Sequence, residues 1–518
     1  MKRFVSILLA LLMMLTFCVG CTPADTGKPT VNDGQSGQTA QKGGEIVFKY
    51  GRAEELQSFD MWGQNNVINY ILFNLLYDNL IYYDGSRYTP GMAHSWKIAE
   101  DGLSITFELN KGIKFHNGED CTAKDVAVNY NRVVEDTTLI RHSTFASLDS
   151  VEVLDEYTVK FNLNKPDGYF LMLLAQFPAA IPADLYSEIG VEIFKYNYGT
   201  GPWKFVSYSP GNEIVFERYH DYWGVCDSNV DKIIYKPVVE DTTRVSAVRT
   251  GDLDMADGIP SDQVPAIESS GIKIERMPAY DQLYVGFQNN DSIFSDYNAR
   301  MAFNYGIDRD AIVNSIVGAG RVATWPCVAG TIGFDKTAEG YKYNLELAKD
   351  FLSKSGYNGE TIRVIGPIGD YDKIDEILTA IYQYLTQVGF KVKLDQLQSA
   401  AFTQARKSGD YDLYITGSTF VLGDGYTFLN QRVVGDSLNS GFVIPELNEA
   451  ILASNVAMDY DERDELMRKA YSILMENSAP QNFIFAMEAI VAYNSSVSNV
   501  VFSGSKHTNF RNVIKDEK

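Results

Sequence analysis

The stretch "KGIKFHNGEDCTAKDV", Lys111 to Val126, brings His116, Glu119, Asp120, Cys121 and Asp125 close together. An imidazole, a thiol and three carboxylates at that density have the chemistry of a metal site or a catalytic centre. The same residues also suit a turn and a helix start. Asn117-Gly118 is a strong turn signal between extended runs. Thr122-Ala123-Lys124-Asp125 fits a capping box, in which Thr122 accepts from the first helical N–H groups and Asp125 reaches back to the cap. Metal-ligand spacing is not repeated elsewhere, so the structural reading is the expectation. No G-x-S-x-G elbow, H-E-x-x-H, G-x-x-x-x-G-K-[ST] loop or G-x-G-x-x-G fingerprint occurs. The chain is therefore expected to be no enzyme and to carry no metal or cofactor.

The turn lies between a strand, "SITFELN", and a helix, "AVNYNRVV". "GEIVFKYGRA", "YTVKFNLN", "EIVFER", "VDKIIYKPVV" and "DYDLYITGS" also read as strands. "VINYILFNLLYDNLIYYD" has apolar residues at helical spacing and runs into a strand. "NARMAFNYGIDRDAIVNSIVG" reads as one amphipathic helix, and "LELAKDFLSKSG" as another closed by Gly356. "KIDEILTAIYQYLTQVGFKVKLDQL" reads as a helix, Gly389 and a strand; "ELNEAILASNVAMDYDERDELMRKAYSILMEN" reads as one or two long helices. Strands alternating with helices imply α/β units, and the early antiparallel pairs add an α+β part.

With 518 residues the chain is long enough for several packed units. Its net charge of −22 makes nucleic acid an unsuitable partner, because phosphate neutralisation needs clustered Lys and Arg. The 32 Tyr and 28 Phe suit a large core or an aromatic-lined cleft. "MKRFVSILLALLMMLTFCVGC" has the basic start, apolar run and small-residue ending of a secretory signal. Residues 22–44 are rich in Gly, Thr, Gln and Asp and read as a flexible tether. Cys121, Cys226 and Cys327 remain in the body; odd in number and without CxxC spacing, they read as small apolar fillers.

"CVGC" resembles a bacterial lipobox, with Cys21 the lipidated residue and Cys18 where Leu is usual. "PGMAHSWKIAEDGLSITFELNKGIKFHNGEDCTAKDV" closely resembles the signature of the solute-binding family 5, the substrate-binding proteins of peptide and nickel ABC importers. "GTGPWKFVSYSPGNEIVFERYHDYWG", "DTTRVSAVRTGDLDMADGIP" and "ARMAFNYGIDRDAIV" resemble further family segments in the same order. The resemblance covers the chain beyond the tether. It implies an α/β (mixed α+β), two-lobed periplasmic-binding-protein-like fold of type II, cluster C, with an extra domain. After a signal peptide at 1–21 and the tether at 22–44, lobe I would take 45–88, 199–288 and 495–518. The extra domain would be 89–198 and lobe II 289–494.

Carried over residue by residue, the resemblance gives ligand-binding candidates on both sides of a cleft. Asn66, Tyr70, Arg141 and Gln176 lie on one side; Ser418, Thr419, Phe420, Asp424 and Tyr426 lie on the other. Val421 stands where the peptide branch places the Asp that pairs with the ligand's α-amine. The nickel branch's Arg-His pair is matched by Arg141-His142, but its metal-contacting His has no counterpart. Arg141 could pair with an anionic ligand or be a surface arginine. The implied function is an extracytoplasmic lipoprotein, a monomer anchored to the cell membrane through Cys21. It would capture an oligopeptide or peptide-like solute and deliver it to an ABC permease and ATPase. Alternatives are an oligosaccharide or metal-chelate binder, or a solute- or pheromone-sensing receptor lipoprotein.

Overall fold

The computed structural model describes residues 44–64, 67–419, 423–502 and 508–516. The expected signal, with Cys21, and residues 22–43 of the tether lie outside them. In "EIVFKYGR" the apolar residues alternate, so the strand Val47–Arg52 turns Phe48 and Tyr50 to one buried face. Their rings meet Phe510 at 5.5 and 5.2 Å. This strand runs parallel to Lys232–Pro237 and Met255–Asp257. Glu213–Arg218 and Trp203–Ser209 extend that half of the sheet antiparallel. In the other half, Thr361–Pro367 lies parallel to Lys391–Leu397 and Leu413–Thr419. The helix Ile374–Val388 makes the crossover and buries Ile374, Ile377, Leu378, Ile381 and Leu385, a helical stripe.

Two long strands join the halves into one eleven-stranded sheet. Lys273–Phe287 and Gln481–Tyr493 run antiparallel to each other. Tyr493 to Val491 pairs with Met255–Asp257, whereas Asp281 to Phe287 pairs with Leu413–Thr419. The register slips at Pro278–Gln282, where these stretches meet, and again at Leu283–Tyr284, within the second. Proline donates no ladder bond and slipped pairs leave others unmade, so the two strands bend most readily there.

A separate four-stranded antiparallel sheet holds Ala93–Ile98, Ser104–Leu109, Thr158–Leu163 and Leu148–Asp155. The helix Ala123–Glu135 packs on it through Val126, Tyr130 and Val133. Just before this helix, the stretch from Lys111 is a turn and a cap. Gly118 takes φ +90°, which favours glycine. Thr122 N–H donates to Asp125 Oδ2 at 2.8 Å, and the other oxygen accepts from Ala183 N–H at 2.8 Å. His116 is a crosslink: Nδ1 accepts from Gly199 N–H at 3.2 Å and Nε2 lies 2.9 Å from the Gly201 carbonyl. Desolvation pushes its pKa down to about 4. A histidine held neutral in this way stabilises the fold above pH 6.5, and that contribution is lost as pH falls towards 4. Unfolding followed against pH should show wild type losing on the order of 2 kcal/mol more than His116→Gln across that window. Parallel pH profiles would contradict this.

Two local expectations are corrected. The helix expected through residues 298–318 is broken: Tyr297–Gly306 ends at Ile307, and a new turn starts at Asp308, whose carboxylate accepts from Ala311 N–H at 2.8 Å. The segment Ile312–Val317 then continues with wider, π-type turns. Gly356 does not close its helix. Leu345–Lys354 ends on Ser355 at φ −81°, so no left-handed glycine is required. Pro445–Val456 and Tyr460–Asn477 are two helices, separated where Asp459 caps the second through Glu462 N–H at 3.0 Å. Among the described residues no helix is long and apolar enough to cross a membrane.

Candidate ligand cleft

A cavity of about 470 Å³ is lined by Arg141, Lys165, Asp167 and Tyr169 from the four-stranded-sheet region and by Ser418, Asp424, Tyr426 and Arg432 from the other half of the chain. Four of the sequence-derived candidates, Arg141, Ser418, Asp424 and Tyr426, therefore meet around one space.

Arg141 is held by the turn that follows the helix Ala123–Glu135. Its own N–H donates to the Trp62 carbonyl at 3.1 Å. The guanidinium lies over the rings of Tyr70 and Phe177, 5.4 and 5.2 Å from their centroids. Its Nε donates to the Gln64 carbonyl at 2.9 Å, and Nη2 donates to the Tyr70 hydroxyl. Tyr70, buried on the helix Val67–Leu76, thus supports Arg141 from behind rather than lining the cavity. Gln176 ends the helix Phe170–Gln176, half-buried and away from this lining.

On the opposite side, Ser418 lies on the strand Leu413–Thr419, across from Gln282. Thr419 is next on the strand, opposite Asp281; its side chain lies outside the described part, as do Asn66 and Phe420. Asp424 is committed within the protein. Its Oδ1 accepts from Tyr426 N–H at 2.7 Å, and Oδ2 accepts from Arg463 Nη2 and Nε at 2.7 and 3.1 Å. Both side chains of that pair are sealed, 0 and 2 % exposed. Arg463 lies 5.6 Å from the Tyr426 ring centroid, so Asp424 and Arg463 together set the start of the short helix Tyr426–Leu429. Asp424 accordingly reads first as a positioning residue.

Sequence reasoning missed Arg432, Asp167 and Tyr169. Arg432 lies one helical turn beyond Phe428 and 4.4 Å from that ring's centroid. It is also 5.3 Å from the ring of Tyr284, whose hydroxyl accepts from Nη1. Burial pulls its pKa down to about 10, so it remains charged at neutral pH. Among the described residues no carboxylate pairs with Arg432 or with Arg141. Asp167 accepts from Ser147 Oγ at 2.5 Å and Tyr169 N–H at 3.0 Å, and burial raises its pKa. The i to i+4 spacing of Phe428 and Arg432 was a visible signal, but Tyr284 is distant in sequence.

A second cavity, of about 600 Å³, lies beside the two long strands and is lined by Arg52, Asp257, Met277, Tyr371, Lys373 and Met487. It is larger, yet it holds none of the sequence-derived candidates. Arg52 there is already paired, with Asp257 at 2.6 Å. No group of three or more His, Cys, Asp or Glu side chains is placed to hold a metal among the described residues. Burial pushes the Cys121 and Cys327 thiols up, away from nucleophilic ionisation. The arrangement around Arg141 and Arg432 can hold a charged solute by hydrogen bonds and ring contacts.

Residues 87–439 match the profile described as bacterial extracellular solute-binding proteins, family 5 Middle. The glutathione-binding protein GsiB of Pectobacterium atrosepticum is 27 % identical over 456 residues, which cover 85 % of this chain and 88 % of that one. Di/tripeptide-binding protein 3 of Pseudomonas aeruginosa is 26 % identical over 437 residues, 77 % of this chain and 82 % of that one. Among solved structures, HbpA2 from Haemophilus parasuis superposes with a TM-score of 0.83 at 23 % identity, covering 91 % of this chain and 100 % of that one. These neighbours have the two-lobed architecture of periplasmic binding proteins. With the profile spanning most of the chain, the protein belongs to the bacterial extracellular solute-binding proteins of family 5.

Proposed function

We propose that this protein is the non-enzymatic binding component of an ABC importer. It captures a peptide or peptide-like solute between two lobes and presents it to a membrane permease and its ATPase. In this reading lobe I takes 45–88, 199–288 and 495–518, the extra domain 89–198, and lobe II 289–494. The lobes hinge where the two long strands lose register. The carrying observation is the cavity of about 470 Å³ between Arg141 and Asp167 of the extra domain, which is bonded to lobe I through Gln64 and Tyr70, and Ser418, Tyr426 and Arg432 of lobe II. A cavity in this range accommodates a small peptide. The glutathione-binding and di/tripeptide-binding relatives support a ligand of that size. Asp424 is engaged by Arg463 and Val421 offers no carboxylate, so a dedicated α-amine carboxylate is not part of the proposal.

A ligand that bridges the lobes stabilises the folded, closed state in proportion to its occupancy. Thermal unfolding with glutathione, di- and tripeptides, and oligosaccharides is the test. A rise of several degrees with a peptide-sized ligand and none with sugars is expected; the reverse pattern would overturn the reading. The membrane anchor is proposed to be lipid on Cys21. Cys21→Ala should appear in the medium, and its retention at the membrane would refute the anchor.

A further inference from the structure

We propose that Arg432 is a specificity-determining residue that, together with Arg141, grips a carboxylate group of the ligand, so that the cleft selects acidic peptide-like solutes. This rests on the reading of the cavity as the ligand cleft.

Three observations carry it. First, Arg141 and Arg432 line the same cavity from opposite sides, and no carboxylate among the described residues pairs with either. A desolvated guanidinium without an anion is costly to keep, and the usual arrangement is a paired one. Asp424, the nearest obvious partner by sequence, is taken by Arg463 at 2.7 Å. Second, both guanidiniums are oriented by neutral groups. Arg432 lies against Phe428 and Tyr284, and Arg141 against Tyr70 and Phe177, each with a tyrosine hydroxyl as acceptor. Ring stacking fixes a guanidinium plane while leaving its charge uncompensated, which preorganises it for a planar anion. Third, Lys165 adds a cation at the rim; of the two lining acids, Asp424 is taken by Arg463, and Asp167 is held by Ser147 and the Tyr169 N–H, with Arg463 and Lys165 acting on it through space. In a chain of net charge −22, a lining with cations in excess is opposite in sign to the molecule. Cations at low-dielectric walls focus an anionic ligand.

The test uses the full-length protein and matched probes: glutathione, Ala-Glu-Ala, the ester or amide of each, and glutarate as a simple dicarboxylate. Calorimetric titration of wild type should favour each acid over its ester or amide. Arg432→Gln should weaken the acids by about ten- to hundredfold while changing the esters and amides less than about threefold, with partial rescue by Arg432→Lys. Arg432→Met should melt without ligand no lower than wild type, because the half-buried charge has no carboxylate partner to lose and the Met side chain still packs on Phe428 and Tyr284. Equal binding of acids and amides, or equal weakening of both by Arg432→Gln, would overturn the proposal while leaving the peptide cleft standing. If no peptide binds but glutarate raises the melting temperature of wild type and not of Arg432→Gln, the clamp stands and the peptide reading fails. If neither peptides nor glutarate act on wild type, the clamp is refuted.

Discussion

Asp78→Asn is expected to destabilise the protein by about 3–5 kcal/mol, because it breaks a buried charge pair and inverts one end of a saturated hydrogen-bond network. The Asp78 side chain is fully buried. Its Oδ1 accepts from Tyr82 and Tyr222 hydroxyls at 2.9 Å each and from Arg511 Nη2 at 2.5 Å. Its Oδ2 accepts from Trp223 Nε1 at 2.8 Å and Thr200 Oγ1 at 3.1 Å. Every donor expects an acceptor, and an asparagine amide would face some of them with a donor of its own. Arg511 in turn ties the C-terminal segment to the chain just after the helix Val67–Leu76 and to the loop carrying Tyr222. Urea unfolding of Asp78→Asn, Arg511→Met and the double variant would measure this. Strong coupling between the two is expected; a cost below about 1 kcal/mol for Asp78→Asn would contradict the account.

Gly168→Ala is expected to cost at least about tenfold in ligand affinity, by holding the lobes apart. Gly168 N–H donates to the Asn455 carbonyl at 2.5 Å. A Cβ at this position would lie 2.0 Å from the Ala457 carbonyl oxygen and 2.8 Å from Arg463 Nη1. Its φ is not in the left-handed region, so space rather than backbone freedom demands glycine. The contact joins the segment carrying Asp167 to the break between the two long helices, directly beside the cavity. The expected signature is a larger radius of gyration than wild type with ligand present, and an unchanged melting temperature without ligand. Wild-type affinity and radius would show that the contact is not part of closure. A large melting drop without ligand would show a permanent joint.

Local structure was readable where local chemistry decides it. The Asn117-Gly118 turn, the reach of Asp125 to Thr122 and the helix ending at Gly389 all depend on neighbours within a few residues. The break at Asp308 was not read, because "FNYGIDRDAIV" keeps helical spacing across it while Arg309 is drawn to the Phe483 carbonyl on a distant strand at 3.2 Å. The same limit governs the cleft. Arg141, Ser418, Asp424 and Tyr426 were reached through the family pattern, and the fold gathers them around one cavity. The pairing of Asp424 with Arg463 needs the helix Tyr460–Asn477 in place, and the seating of Arg432 needs Tyr284. Asp78 and Arg511 come from opposite ends of the chain, and no pattern in the sequence announces them as partners.

The central claim is that one solute is held from both sides in the cavity around Arg141 and Arg432. Amide hydrogen exchange with and without saturating glutathione, or the tightest peptide of the panel, tests it directly. The account predicts simultaneous protection of residues 139–147 and 424–434. Protection of one side alone, or protection confined to 257–261 and 369–376 around the larger cavity, would contradict it.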